Sequence, residues 1–310
     1  IEVESGMVLR AAAITMVVAS HFGLIYSGGA ATSMLFWISG FLFGGLQLRE
    51  VEKVGTLDPI ARMLKGILVP VFVITGAWMV LKTLTGDPPR LSSLMMTVDV
   101  IDFTHLPTEG PNAFGGHDYL MWYVHCIVHI LFVLIGLLLV MQRKLKLPHA
   151  VPLAIAAAVA IGVVTRFVVP PFFVPDFGRS PMNGLSVFGH SPLPHLATFA
   201  LAALAGYAGT FKNWWTAALA AIGLAAYVGL SIPTYGLLDS VAIGVVAVAL
   251  VAAPKMPLPR AVSMPLYLIA GASLFIYLLH FRFLTVVSEV FGLPTWIAFI
   301  AAVAGGVAAW

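Results

Sequence analysis

Residues 9–23, Leu9 to Gly23, read LRAAAITMVVASHFG. The run is apolar enough to be most of a membrane helix, yet it holds one arginine and one histidine. Arg10 and His21 are eleven residues apart. At about 100° per residue that is roughly three turns plus 20°, so both side chains leave the same face, about 16 Å apart along the axis. An ionisable group in a hydrocarbon-spanning helix costs roughly 2.5–3.5 kcal/mol or more, which makes it a functional hypothesis by default. Two on one stripe suggest a buried polar tunnel. The alternative is that Arg10 snorkels to the headgroups while His21 closes the far end at the opposite interface.

The rest of the chain fits a membrane setting. Of 310 residues, 60% are hydrophobic and only 9% charged, against about 25% charged in a soluble domain. Mean hydropathy is +1.01. The apolar runs suit helices rather than barrel strands, so the fold class is all-α, a polytopic membrane protein lying in the lipid bilayer. A net charge of +3 gives no ground for a nucleic-acid partner. The single cysteine, Cys126, excludes an internal disulfide and a cysteine-rich metal site. Residues 1–7 do not read as a signal peptide, because Glu2 and Glu4 stand where a basic region belongs. Ile1 in place of Met leads us to expect a chain that is processed, trimmed, or the membrane part of something longer.

About ten apolar segments are expected, over residues 8–26, 30–48, 64–84, 119–141, 150–170, 193–211, 213–231, 234–253, 265–286 and 294–310. They form a single domain over residues 1–310, with a tight turn at Lys212 and Asn213 between the sixth and seventh. Abundant Gly and Ala in segments five to eight allow close helix packing. Arg49, Lys53, Arg62 and Lys65 fall in one loop region, Arg143, Lys144 and Lys146 in another, and Lys212, Lys255 and Arg260 in two more on the same side. The opposite loops hold chiefly Arg90 and Arg179. The positive-inside rule then places both termini in the cytoplasm. Two long outer loops, Gly86–Asp118 and Pro171–Pro192, exceed the usual length and suit either an acceptor-binding lid or an ordered cover.

Several further residues could carry chemistry. Ser39-Gly40 interrupts the second apolar run, as a backbone approach site or as a packing notch. Arg62 and Lys65, one turn apart before Pro70, suit a phosphate-bearing ligand or anionic lipid headgroups. His125 and His129 share a helix face, but no HExxH pattern accompanies them and no metal is expected. His117 lies at the outer mouth, with Trp122 and Tyr123 at interfacial positions. His190 and His195 flank a proline-rich stretch, and His280 lies deep in the ninth segment with Arg282 near its outer end.

Together these motifs resemble the integral-membrane acyltransferase-3 family. Arg10, ten residues, His21 and then Phe22 match its first helix, and Ser39-Gly40-Phe41 its second. The basic pair of ARMLKGILVP, the H-x-x-x-x-W-Y of HDYLMWYV and the late SLFIYLLHF follow in the family's order. Many members carry an acidic residue after the fourth-helix tryptophan, where VHCIVHI stands here, and Arg where Lys65 stands.

The resemblance implies transfer of an acyl group, commonly acetyl, from cytoplasmic acyl-coenzyme A to a hydroxyl or amine, on an extracytoplasmic carbohydrate above all. It also implies a transferase for groups other than aminoacyl groups. No permanently bound cofactor is implied; acyl-coenzyme A or another phosphopantetheine thioester is the co-substrate. His21 would act as base or first accept the acyl group, and Arg10 would bind donor phosphate or stabilise the oxyanion. Arg62 and Lys65 would hold phosphates, and Ser39 and Gly40 would let the pantetheine arm pass. His117, Trp122, His190, His125 and His280 would lie on the acceptor side. The implied location is the bacterial inner membrane, crossed many times. Two other readings stand beside this one: transfer of an acyl or aminoacyl group from a fused or partner carrier protein to a small acceptor, and a small-solute transporter.

Overall fold

The computed structural model describes residues 2–25, 30–84, 122–165, 192–210, 218, 221–226, 228–229, 237–253 and 255–310. The expected loop Gly86–Asp118, almost all of Pro171–Pro192, the turn at Lys212 and Asn213, and most of segment 213–231 lie outside the described residues. So do His117 and His190. The chain divides into two compact units, Ile1–Leu42 with Ala208–Trp310, and Phe43–Tyr207.

The first unit contains α1 (Ser5–His21), α2 (Ala30–Leu42), α8 (Leu237–Ala252), α9 (Arg260–Gly271), α10 (Ser273–Leu284) and α11 (Thr295–Ala309). Helix α1 packs against α2, α9 and α10; α8 lies on α2, and α10 on α11. The buried residues of α1 are small or branched, Ala11, Ala13, Ile14, Val17 and Val18 among them, which lets neighbouring helices come close. Closest is α10 against α11, where a Cβ on Gly306 would stand 2.6 Å from Ile276 Cα.

The second unit contains a π-helical turn (Phe43–Leu48), α3 (Arg49–Val54), α4 (Asp58–Leu84), α5 (Trp122–Gln142), α6 (Leu147–Val163) and most of α7 (Pro192–Thr210). Its packing again turns on glycine. A Cβ on Gly44 would collide with the Ala203 carbonyl, and one on Gly162 would lie 2.8 Å from Ala197 Cα. The half-buried Glu52 carboxylate accepts a hydrogen bond from the Tyr207 hydroxyl, tying α3 to α7.

Eight expected segments each coincide with one described helical stretch, but two features depart from expectation. Segment 265–286 is not one helix: α9 and α10 meet at a 76° bend. Ala272, with φ −79° and ψ 1°, closes α9 and opens α10. No charge or proline marks the break in Leu266–Phe281, so hydropathy alone runs straight through it. The second departure is a short antiparallel ribbon in an otherwise helical chain. Strand β1 (Glu2–Glu4) pairs with β2 (Lys255–Pro257) in the register Glu2 to Pro257, Val3 to Met256 and Glu4 to Lys255. Val3 turns inward between two exposed glutamates, the alternation of a half-buried strand. The Ser5 hydroxyl then donates to the Ala253 carbonyl.

Among the described residues, three helical stretches are long and apolar enough to cross a membrane: Ala30–Val54, Asp58–Leu81 and Tyr123–Gln142. The bent pair adds a fourth if it counts as one span, and five further apolar helices are shorter.

Candidate functional site

The first unit places His21 at the last helical position of α1, and the residues after it say why the helix stops there. Gly23 takes φ +69°, a left-handed conformation that costs glycine no Cβ clash. The Gly23 amide donates to the Ser20 carbonyl at 3.0 Å and the Leu24 amide to the Ala19 carbonyl at 2.9 Å. These two bonds are a Schellman closure, so the sequence HFGL fixes the turn on which His21 sits.

His21 meets His280 of α10. Its Nδ1 lies 3.0 Å from His280 Nε2, and the two rings are nearly parallel, 11° apart, with centroids 5.1 Å apart. His280 has no solvent exposure, while His21 is half-buried. On its other side His280 Nδ1 lies 2.6 Å from the Tyr277 carbonyl oxygen, one turn back. Aromatic rings wall the pair: Phe281 is 4.8 Å from His21 and 4.0 Å from His280, and Tyr277 is 5.4 Å from His280. Phe22 meets Phe299 edge-on at 6.3 Å, holding α1 to α11 beside the site. Arg282, two residues beyond His280, is buried as well.

Arg10 is half-buried on the same helix as His21. Eleven helical residues put about 16 Å between them along the axis. Ser39 is half-buried and Gly40 buried on α2 in the same unit.

In the second unit, Arg62 and Lys65 are exposed on the first turns of α4. With Val54, Thr56, Asp58 and Ala61 they line an open cleft of about 550 Å³. Its rim is shaped locally: Thr56 Oγ1 donates to Asp58 Oδ2 at 2.9 Å, and the Asp58 amide donates to Thr56 Oγ1 at 3.4 Å. Positive charge thus gathers near a helix N-terminus, which favours anions, with one carboxylate beside it. His125 of α5 is fully buried, His129 one turn on is half-buried, and His195 of α7 is buried. Trp122 opens α5. Among the described residues, no three His, Cys, Asp or Glu side chains come together as a metal site.

The pairing of His21 with His280 is the feature sequence reasoning missed. The two are 259 positions apart, and periodicity speaks only of neighbours on one element. His280, expected on the acceptor side, lies against His21. A weaker signal was in reach: Tyr277 and His280 are three apart, hence on one face of α10.

Apolar helices around a hydrogen-bonded pair of histidines, one buried and one half-buried, define a helical membrane protein with a polar site inside it. The sequence model of the acyltransferase-3 family, described as an acyltransferase domain, matches residues 7–310. The chain belongs to that family and is a membrane acyltransferase. No curated protein and no solved structure matches it.

Proposed function

We propose that the protein moves an acyl group, acetyl above all, from a phosphopantetheine thioester such as acyl-coenzyme A to a hydroxyl or amine acceptor. The observation that carries this reading is His21, half-buried at the end of α1 and hydrogen-bonded to His280, in a chain of this family. Imidazole has its ordinary pKa near working pH and can take a proton without extreme tuning.

In the proposed reaction His21 takes the proton of the acceptor hydroxyl as its oxygen bonds to the acyl carbon. The carbon–sulfur bond breaks, and the thiolate leaves with that proton. Alternatively His21 first accepts the acyl group itself. Arg10 binds a donor phosphate. The roughly 16 Å of helix between Arg10 and His21 favours this over contact with an oxyanion at His21. A pantetheine arm has about a dozen bonds between phosphate oxygen and sulfur. At roughly 3.5 Å per three bonds of extended chain it spans about 14 Å, close to that separation. Arg62 and Lys65 offer a second phosphate-binding surface in their cleft. Ser39 and Gly40 border the path of the arm. His125, with His117, Trp122 and His190, serves the acceptor.

In this reading the chain crosses the bacterial inner membrane many times with both termini in the cytoplasm. The donor comes from that side, and the acceptor is an extracytoplasmic carbohydrate. Thiol release from acetyl-coenzyme A by the protein in nanodiscs tests the reading, with an acyl-loaded carrier protein as a second donor. Release that His21→Ala abolishes supports it. No release from either donor, across a panel of hydroxyl and amine acceptors, overturns it.

A further inference from the structure

We propose that His280 is a positioning residue that sets the tautomer of His21, so that Nε2 is the nitrogen of His21 that does the chemistry. The chain of hydrogen bonds starts at the Tyr277 carbonyl. A carbonyl oxygen only accepts, so the 2.6 Å contact with Tyr277 requires a hydrogen on His280 Nδ1. In neutral imidazole the other nitrogen is then an acceptor. His280 Nε2 therefore accepts, and the hydrogen in the 3.0 Å contact belongs to His21 Nδ1. Neutral His21 is left with its lone pair on Nε2.

The reverse polarity needs a second hydrogen on His280. That would place a cation in a site with no solvent exposure, on a helix that already buries Arg282 two residues on. Burying an uncompensated charge costs far more than the alternative hydrogen-bond order. The backbone of α10 thus dictates a proton position on α1. Both helices lie in the first unit, and the dictation passes through one side chain. Neighbouring rings keep the relay in place: Phe281 packs on both imidazoles, and Tyr277 packs on His280.

The chemical half of this proposal rests on the acyl-transfer reading. With the hydrogen held on Nδ1, Nε2 takes the acceptor proton and returns it to the departing thiolate. Throughout the cycle Nδ1–H stays bonded to His280, which also steadies the imidazolium formed midway.

The test uses the full chain in nanodiscs with nitrogen-labelled histidine rings, the His21 signals being assigned by difference against His21→Gln. Nitrogen NMR of the unsubstituted protein is expected to show His21 hydrogen-bearing at Nδ1 and bare at Nε2. A bare Nδ1 overturns the proposal with no further variant. In His280→Leu the acceptor is gone, and His21 is expected to move to the Nε2–H form that an isolated neutral imidazole favours. His280→Gln, whose side-chain oxygen can stand where Nε2 stood, is expected to keep the Nδ1–H form.

Turnover follows the same order. We expect kcat to fall roughly 10²-fold or more in His280→Leu, with the donor KM unchanged, and to recover to within about tenfold in His280→Gln. An unshifted tautomer in His280→Leu, or equal losses in both variants, overturns the proposal. If the tautomers behave as expected while no thioester is cleaved by any form, the acyl-transfer reading fails and the positioning role of His280 stands.

Discussion

In the first unit, His21 and His280 meet between helices α1 and α10, walled by aromatic rings and joined by hydrogen bonds. In the second, Arg62 and Lys65 stand exposed on one helix, their spacing set by three residues of local sequence. One arrangement is made by tertiary packing, the other by helix periodicity. A hydrogen-bonded pair of one buried and one half-buried imidazole owes its geometry to everything around it. Exposed cations keep much of their geometry whatever the neighbours do, and act through charge that water and salt screen. The same size of substitution should therefore have unequal effects in the two units.

The largest effect belongs to the buried pair. His21→Ala should lower thioester cleavage by about 10³-fold or more with the fold retained, within the range expected for losing a general base. Full activity in that variant would end the distinction drawn between the units. Gly306→Leu comes next. It forces a side chain into the contact with Ile276 and should destabilise the protein by about 1–3 kcal/mol, read as a lowered thermal midpoint in detergent. An unchanged midpoint would mean that α10 and α11 do not pack as closely as described.

Smaller still is the effect expected in the cleft. Arg62→Ala with Lys65→Ala should raise the KM for acetyl-coenzyme A about tenfold, as expected for the loss of a charge-assisted hydrogen bond of about 1.5 kcal/mol. Turnover at saturation should be kept, and the effect should shrink as salt rises. A loss in kcat instead would give these cations a part in the reacting centre. Smallest is the ribbon ion pair, where Lys255 Nζ lies 3.3 Å from Glu2 Oε2 with both side chains exposed. Glu2→Gln should change stability by less than about 1 kcal/mol, measured by the same thermal scan. A larger drop would show that the ribbon depends on this charge rather than on Val3 and the backbone pairing.

The same contrast explains what could be read from sequence. Helices α4 and α5 were legible because long apolar runs report themselves. The Arg10 and His21 stripe was legible because both lie on one helix. The bend at Ala272 was not, since the small residues beside it, Gly271 and Ser273, are of the same kind as Ser39 and Gly40, which α2 carries without a break. The ribbon escaped because three-residue strands carry no periodic signal. The partner of His21 escaped because a contact across 259 positions leaves no trace in local spacing. Family resemblance supplied the residue types of the site but not which of them touch.

That separation also sets an order of events during synthesis. His21 leaves the ribosome 259 residues before His280, which at about 5–20 residues per second is roughly 13–50 s. The ribbon has a similar delay, since Glu2 pairs with Pro257. Through that interval α1 lacks two of the helices it packs against, α9 and α10. Helix α2 follows at Ala30 and can dock on α1 early, so it is the face of α1 turned to α9 and α10 that must wait. A biogenesis factor that shields one polar helix face would have its client here from the first turn onward.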